Sequence, residues 1–280
     1  MAKTPQPVLQ HLLDARYTDA PRVPQTDERN VLVQSMAARG SCRSFLDRPV
    51  PLDLLKTLSA IALAAPSKSD LQQRDIVLLS SETVRRQLAD LVSGQAWVSG
   101  APMIAMFCGN NHRQRLLHEW HDVPFANDHL DAFFNASVDA AIALSAFVTA
   151  AEAAGLGCCP ISAVRNDAAA VSDLLGLPDH VFPVAGLAIG YPAGPAQMSR
   201  RLPLQHTLHI DRYDETGLQS AVKNYDTART AAQPYQRPRY PESFPATPAY
   251  GWSDDKVRQY SRPERDSFGA FVRAKGFCLD

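Results

Sequence analysis

Segments of helical and of strand periodicity alternate along most of this chain. Residues 50–66 predict a helix that ends at Pro66, because their apolar side chains recur every three or four positions. The Ala-rich residues 130–155, which end at Gly155, predict the longest helix, with apolar side chains on most of its faces. A helix of that kind is typical of the centre of a core or of an interface.

Shorter segments predict four strands and four further helices. The strands are apolar runs between turn signals, at 74–81, 101–109, 158–162 and 182–192. The helices are expected at 27–40 with Asp27 as N-cap, at 81–92 behind a capping box near Ser81, at 167–176 and at 254–277. Together they predict an α+β fold. Residues 1–28 predict a loosely ordered arm, and the proline-rich residues 225–251 predict a loop.

Composition removes several classes of function. With 28 basic and 29 acidic side chains, the chain has no overall field for nucleic acid or an anionic membrane, so any anion site must be local. There is no run of about 18 apolar residues and no secretory-signal pattern at the start, so we expect a cytoplasmic protein. Five cysteines without a CxxC pair predict free thiols; a redox pair at Cys158 and Cys159 is the alternative.

Two polar stretches offer candidate chemistry. In "RGSCRSF", Arg39, Ser41 and Arg43 alternate, so an extended backbone would present all three on one side as a row of donors for a phosphate. In "AAPSKSDLQQ", a cluster of donors and acceptors lies on a turn between a helix and a strand. The alternatives are a solvated face for the first stretch and an ordinary polar loop for the second.

The histidine-rich residues 112–129 raise the question of a metal site. His118 and His121 in "HEWH" are spaced to share a helix face, and His112 and His129 lie nearby. No cysteine or second close pair completes a site, so we expect no metal and predict that a chelator leaves activity intact.

Taken in order, these stretches resemble the nitroreductase superfamily of FMN-dependent NAD(P)H oxidoreductases. "RGSCRSF" is similar to its opening Arg-Xaa-Ser-Xaa-Arg-Xaa-Phe motif, and "APSKSDLQ" to its Ala-Pro-Ser-Xaa-Xaa-Asn-Xaa-Gln motif. The resemblance covers residues 29–277 and favours the NADPH-preferring, oxygen-insensitive nitroreductases and flavin reductases. It also rests on "SGQAWV", "VDAAIALSAFVTAAEAAGLG", "ISAVRND", "LPDHVFPVAGLAIGYP", "RRLP", "LHIDRY" and "WSDDKVRQYSRPERDSFGAFVRAKGF".

The resemblance implies a nitroreductase-like fold, with a central mixed sheet surrounded by helices, in a homodimer with an extended C-terminal segment. It divides the chain into an arm (1–28), an FMN-binding core (29–225) and a Pro/Arg-rich loop with a C-terminal helix that packs on the core or on the partner subunit (226–280).

The resemblance also implies which residues bind FMN. Arg39, Ser41 and Arg201 would hold the phosphate, with Arg43 along the ribityl chain or near the pyrimidine edge. Gln95 would reach the polar edge of the ring. The backbone of β-strand residues would cover one ring face, and the second motif would line the flavin from the partner subunit. The β-strand residues are Gly157, Cys158, Cys159, Pro160 and Ile161. The residues of the second motif are Ser67, Lys68, Ser69 and Asp70.

No GxGxxG motif is present, so nicotinamide is expected to bind on the flavin itself. In the NADPH-preferring relatives, basic residues of the late loop bind the 2′-phosphate, which implies that role for Arg229, Arg237 and Arg239. NADPH is therefore expected, and NADH stays possible. The alternative for these arginines is a solvated linker.

The implied activity is hydride transfer from nicotinamide to flavin N5 and then to a nitroaromatic or quinone, in a ping-pong sequence. Two alternatives remain: a reductase that supplies free flavin to a monooxygenase, and a non-catalytic protein that binds flavin or another phosphate ligand. Asp70 stands where the family has Asn, and a carboxylate cannot donate as an amide does. Pro160 replaces a small residue over the ring. Both departures bear on substrate choice.

Overall fold

The computed structural model describes residues 9–23, 30–92 and 94–280. These form two compact units. The smaller unit consists of Met1–Gly40 and Gln197–Glu264, and the larger unit of Ser41–Ala196 and Arg265–Asp280.

The described residues contain ten α-helices and four β-strands. In chain order, the helices are α1 (Leu9–Arg16), α2 (Val31–Ala38), α3 (Leu52–Leu63), α4 (Glu82–Leu91), α5 (His112–Trp120), α6 (Leu130–Ala153), α7 (Ala168–Leu175), α8 (Leu218–Ala232), α9 (Trp252–Tyr260) and α10 (Phe268–Ala274). The strands are β1 (Arg74–Leu79), β2 (Met103–Asn110), β3 (Gly157–Ile161) and β4 (Val181–Gly190).

The larger unit is built on one sheet with the strand order β1-β2-β4-β3. The resemblance implies a mixed sheet, whereas all three strand pairs among the described residues are antiparallel. β2 is buried along its whole length because it lies between β1 and β4 and is covered on both faces. The register of β2 against β4 shifts between Phe107 and Cys108, which marks a bulge.

Separate apolar clusters pack around this sheet. In the first, α3 and α6 bury Leu55, Leu58 and Phe147 against Phe107, whose ring meets that of Phe147 edge-on at 5.6 Å. In the second, α4 and α7 contribute Leu88 and Val171 to the layer around Ile104 and Met106. Each fully buried side chain of this size stabilises the fold by roughly 1.5–3 kcal/mol.

The end of the chain completes a third cluster of the larger unit. Val272 of α10 and the following Phe277 are buried with Phe182 of β4 and Ala136 of α6, and the ring of Phe277 lies 5.3 Å from that of Phe182. Arg265–Asp280 therefore belong to the larger unit and supply two buried side chains to its core.

The smaller unit pairs α1 with α2 and α8 with α9. Tyr225 of α8 meets Trp252 of α9 edge-on at 5.5 Å, and Asp226 accepts hydrogen bonds from the backbone and the hydroxyl of Ser253. These contacts join α8 to the start of α9, the two helices that flank the proline-rich loop.

The structure corrects several sequence-based boundaries. The C-terminal helix expected at 254–277 is two helices, α9 and α10, because Pro263 lacks an N–H and cannot continue a helix. Helix α8 reaches Ala232, so the proline-rich loop begins at Gln233 and Arg229 lies on a helix instead of a loop. Asp27 lies outside the described residues, and the N-cap of α2 is Asn30, which accepts from two backbone N–H groups. Helices α1, α5 and α8 were not predicted.

Candidate functional site

The segment that carries the alternating donors runs as extended chain beside β3 and the end of β4. The backbone N–H of Cys42 donates to the carbonyl of Cys158 at 2.9 Å, and Ala193 N–H donates to the carbonyl of Ser44 at 3.0 Å. The side chain of Cys42 is buried, so those of Ser41 and Arg43 point to the opposite side, as the alternation predicts.

A glycine allows this close approach. A Cβ at Gly157 would lie 2.6 Å from Sγ and 2.7 Å from Cβ of Cys42, which is closer than such atoms can come. The first residue of β3 is therefore glycine because the donor segment lies directly against it. This contact fixes the distance between the donor segment and the strand expected to cover the ring.

Arg43 and Gln95 lie on the same side of the larger unit. The guanidinium of Arg43 stacks over the ring of Trp97 at 5.7 Å, and Gln95 precedes the short 3₁₀ helix Ala96–Val98 that carries this ring. Arg43 is exposed and Gln95 half-buried. Among the described residues, the side chains of Ser41 and Gln95 have no hydrogen-bond partner, so both are available to a ligand.

Strand β3 forms one edge of the sheet and presents Pro160 to solvent, whereas its other residues are buried. Proline has no N–H to donate and is tolerated on an edge strand for that reason. At this edge the carbonyl of Cys158 accepts from the backbone of Cys42, and Pro160 is the exposed residue of the strand.

The second motif, Ala64–Gln73, is organised by one buried carboxylate. Asp139 of α6, which is 1% exposed, accepts from Ser67 Oγ at 2.8 Å, Lys68 N at 3.1 Å and Gln73 N at 3.0 Å. Arg74, also buried, lies 3.5 Å from the same carboxylate and donates to the carbonyls of Leu63, Ala65 and Pro66. The ion pair of Arg74 and Asp139 therefore binds the backbone at the start of the loop, near Ala65, and at its end, at Gln73.

The tip of this loop is strained. Ser69, Asp70 and Gln72 have φ angles of 49°, 55° and 52°, in the left-handed region that side chains other than glycine adopt at a cost. The tip is exposed, and Asp70 accepts from the side-chain amide of Gln72 at 3.1 Å. Lys68 lies 3.6 Å from Asp131 at the start of α6. Strain at an exposed, well-anchored loop is typical of a binding segment.

Within one chain the structure does not bring the two motifs into contact. Among the described residues, no hydrogen bond, ion pair or ring contact joins Ser67–Asp70 to Ser41, Arg43 or Gln95. The larger unit therefore contains two separate parts of the predicted site.

In the smaller unit, Arg201 lies on a segment whose carbonyl groups are held by side chains. Tyr225 OH donates to the carbonyl of Arg200 at 3.1 Å, and Gln233 donates to that of Met198 at 2.6 Å. Burial raises the pKa of Tyr225, although Arg229 and Arg201 act to lower it, so this hydroxyl keeps its proton. Arg201 itself is exposed and donates to Ser199 Oγ at 2.7 Å.

The three arginines predicted to bind the 2′-phosphate have different surroundings in the smaller unit. Arg239 pairs with the buried carboxylate of Asp255 at 3.1 Å. The guanidinium of Arg229 stacks on Tyr235 at 4.4 Å. Arg237 is exposed and has no ion-pair or hydrogen-bond partner among the described residues. Of the three, Arg237 is the one available to an incoming anion.

The cysteines are unpaired thiols in the structure, as the sequence predicts. Burial raises the pKa of Cys42 and raises that of Cys108 to about 12, so both stay protonated at neutral pH. No cluster of three or more metal-ligating side chains occurs in the described ranges. Instead, the ring of His118 bonds to the carbonyls of Val123 and Pro124 at 3.1 Å.

Sequence reasoning missed three residues that shape these parts: Trp97 under Arg43, Asp139 under the second motif, and Arg16 at the end of α1. Asp139 had a visible signal, since a lone carboxylate in the middle of an apolar, Ala-rich helix must find partners when that helix is buried. Arg16 had none, because its partners are distant in sequence.

Comparisons with known proteins agree with these features. The family model described as "Nitroreductase family" matches residues 36–191, and "Nitroreductase family, C-terminal domain" matches residues 199–280. An FMN reductase [NAD(P)H] of Bacillus subtilis is 33% identical over 200 residues, which cover 70% of this chain and 80% of the relative. An FMN reductase (NADPH) of the same organism is 29% identical over 252 residues, 89% of this chain and 98% of the relative.

Solved structures give the same result. B. megaterium NfrA2 superposes with a TM-score of 0.81 at 28% identity, over 90% of this chain and 99% of that structure. The NADPH:FMN oxidoreductase of Vibrio harveyi, complexed with NAD+, gives 0.77 at 26% identity, over 88% and 98%.

Proposed function

This chain belongs to the nitroreductase family, and on that premise we propose that it is an NAD(P)H-dependent oxidoreductase that uses FMN. The observation that carries the proposal is the donor set of the larger unit: the free hydroxyl of Ser41, the exposed cation of Arg43 and the free amide of Gln95, next to the β3 edge. A flavin mononucleotide presents a phosphate, a polyol and a polar ring edge, which need donors of these three kinds.

The residues of the chain fit FMN in chemical type. Arg43 supplies a cation next to an aromatic ring, where it favours the negative charge of a reduced flavin. In the larger unit Ser41 supplies a hydroxyl donor for the phosphate, and the role predicted for Arg39 and Arg201 as phosphate ligands stays a prediction. Hydride transfer requires no side-chain nucleophile, and the thiols of Cys42 and Cys108 and the hydroxyl of Tyr225 stay protonated. Bound FMN would supply the hydride-transfer chemistry between nicotinamide and acceptor.

What the protein contributes is position. The backbone of Gly157–Ile161 is proposed to cover one face of the ring and leave the other face to nicotinamide and acceptor in turn, which is a ping-pong order. Holding donor and acceptor in place lowers the barrier without a side-chain acid or base.

We propose a homodimer as the working unit. Leu130, Phe134 and Val138 on α6 are 50%, 59% and 39% exposed and recur every four residues, so they form one apolar stripe. Lys68 and the strained loop lie beside the start of this helix, through Asp131. A second subunit on this stripe would bring its own Ser67–Asp70 to the flavin, which a single chain does not do.

We propose that NADPH is the preferred reductant and that Arg237 binds its 2′-phosphate, because Arg229 and Arg239 already have partners. Replacement of Arg237 by Ala should lower kcat/KM for NADPH about tenfold or more, by loss of one charge-assisted contact, and leave NADH nearly unchanged. Arg212→Ala, which removes an exposed arginine of the same unit that has no side-chain partner among the described residues, is the matched control. An equal loss with NADH would contradict this assignment.

The acceptor is proposed to be a nitroaromatic or a quinone. Reduction of free flavin is the second candidate, favoured by relatives named FMN reductase and, in Vibrio harveyi, NADPH-flavin oxidoreductase. Steady-state rates with nitrofurazone, a quinone and added riboflavin separate the two, since a flavin-supplying enzyme should turn over riboflavin fastest.

The first experiment is the visible spectrum of the purified chain, before and after anaerobic NADPH. A yellow protein that bleaches and then recovers its colour with an acceptor supports the oxidoreductase. A protein that stays colourless after FMN is offered, or a bound flavin that NADPH does not reduce, would overturn it in favour of a non-catalytic binding protein.

We propose a cytoplasmic location. One described helix, α6, is long and apolar enough to cross a membrane, but it carries the buried Asp139 and packs on β2 and α3, as the core helix of the larger unit. The division into arm, FMN-binding core and C-terminal packing segment stays a prediction.

A further inference from the structure

A buried arginine ends α1, in a segment that precedes both family matches, since the first of these begins at residue 36. Arg16 is 6% exposed. Its guanidinium donates from Nε to the carbonyl of Ala37 at 2.6 Å, from Nη1 to that of Ser199 at 3.2 Å, and from Nη2 to that of Arg39. A guanidinium suits this role because its donors form a rigid planar fork, which the single ammonium of lysine cannot reproduce.

These bonds connect the backbones of the two arginines expected to bind phosphate. Arg16 donates to the carbonyl of Arg39, and its own carbonyl accepts from the N–H of Arg201 at 2.8 Å. Ala37 and Arg39 lie at the C-terminal end of α2, where carbonyl groups lack helical partners and a cation is favourable. One residue therefore fixes both backbone positions.

A second residue of the same segment holds the chain beyond Arg201. Asp19 accepts from the N–H groups of Leu204 and Gln205 at 2.7 and 2.9 Å. The stretch that contains Arg201 is thus bound to residues 16–19 on both sides, at Ser199 and at Leu204.

We propose that Arg16 is a positioning residue for the cofactor phosphate. It holds the backbones of Arg39 and Arg201 so that their exposed or half-buried side chains start from fixed points, and less conformational freedom is lost when they bind the anion. This inference rests on the proposed function, because it takes Arg39 and Arg201 as ligands of the FMN phosphate.

The test compares FMN with riboflavin, which lacks only the phosphate. The full-length chain, stripped of flavin, is titrated with each ligand by flavin fluorescence. The variants are Arg16→Met, Arg16→Lys and, as a control of equal charge change in the same segment, Arg22→Met. Circular dichroism and thermal unfolding show which variants are folded.

We expect Arg16→Met to weaken FMN binding roughly ten- to fiftyfold, as loss of ordered charge-assisted contacts predicts, and riboflavin binding less than about threefold. Arg16→Lys should lose nearly as much, because it keeps the charge but not the fork. Arg22→Met should match the wild type. A further variant, Arg16→Ala, leaves room for a small cation, and low-millimolar guanidinium should partly restore its FMN binding.

Several results would overturn the inference. One is an unchanged ratio of FMN to riboflavin affinity in a folded Arg16 variant. Another is wild-type FMN affinity in Arg16→Lys, which would mean that Arg16 acts only through its positive charge and not through its hydrogen bonds. If Arg16→Met does not fold, the FMN affinity of Arg16→Lys and the effect of guanidinium test the inference instead. If the wild-type chain itself does not prefer FMN to riboflavin, the proposed phosphate site fails, and this is distinguishable from failure of Arg16 alone.

Discussion

At the residue scale, the structure separates side chains that would touch a ligand from side chains that hold those residues in place. Ser41, Arg43 and Gln95 are exposed or half-buried and have side-chain groups available to a ligand, whereas Asp139 and Arg16 are buried and bonded to backbone groups. The two classes predict different experimental signatures: the first should change ligand affinity with little effect on folding, and the second should change both.

Arg39→Ala tests the first class. It should weaken FMN binding about ten- to a hundredfold, because one charge-assisted contact contributes roughly 1.5–3 kcal/mol. Flavin fluorescence titration measures this, and Arg86→Ala, an exposed arginine paired with Glu82, is the control. Unchanged FMN affinity would show that the phosphate lies elsewhere.

Asp139→Ala tests the second class. It leaves Arg74 buried without its carboxylate and removes three acceptor contacts, so we expect a loss of about 3–5 kcal/mol in the free energy of unfolding. Urea unfolding measures the loss. Asp131→Ala, on the exposed start of the same helix, should cost less than about 1 kcal/mol. Equal losses of unfolding free energy in the two variants would mean that the buried contacts of Asp139 stabilise the fold no more than the exposed pair of Asp131.

At the element scale, the donor segment can lie directly against β3 because Gly157 has no Cβ. Gly157→Ala should destabilise the chain by about 1–3 kcal/mol, because its Cβ would overlap Cys42. Gly194→Ala, with nothing within 4 Å of its added Cβ, should be neutral. Cys42→Gly combined with Gly157→Ala should recover part of the loss, which a double-mutant cycle by urea unfolding would detect; strict additivity would contradict the contact.

The proline-rich loop is fastened to α9 by an ion pair that titrates in acid. Burial acts to raise the pKa of Asp255, but hydrogen bonds from Lys256 and Arg239 outweigh it and hold the pKa below its ordinary value. The ionised carboxylate of Asp255 therefore stabilises the folded chain at pH values above the ordinary aspartate pKa of about 3.9. This stabilisation is lost as the pH falls through the lower pKa of Asp255 in the folded chain. The difference in unfolding free energy between wild type and Asp255→Asn should be constant near neutrality and shrink below about pH 4.

Local patterns predicted the elements well where the signal is short in range. The alternation of Ser41 and Arg43 and the long helix that stops before Gly155 need only neighbouring residues, and both occur in the structure, the helix as α6. The bonds of Arg16 to Ala37 and Ser199 span 21 and 183 positions, so no local pattern contains them. Helix α8 was missed because nearby prolines dominated the composition of the segment, although none lies within the helix.

At the scale of the whole molecule, the exposed stripe of α6 predicts assembly. Phe134→Glu should place a charge in the subunit contact and shift the protein toward monomer, which sedimentation velocity at several concentrations would show. Flavin affinity should fall with it, because the partner's second motif is lost. Val257→Glu, an exposed apolar position on α9, is the control. A dimer that survives Phe134→Glu would place the interface elsewhere.

The chain passes from one compact unit to the other three times, after Gly40, Ala196 and Glu264. Neither unit is therefore a continuous stretch, and the cluster around Phe182 lacks Val272 and Phe277 until residue 277 has been made. During synthesis, which proceeds at roughly 5–20 residues per second, the larger unit cannot close before the segment that follows Glu264 has been added. We therefore expect chains that stop before residue 265 to be handed to chaperones and proteases instead of accumulating as a stable fragment.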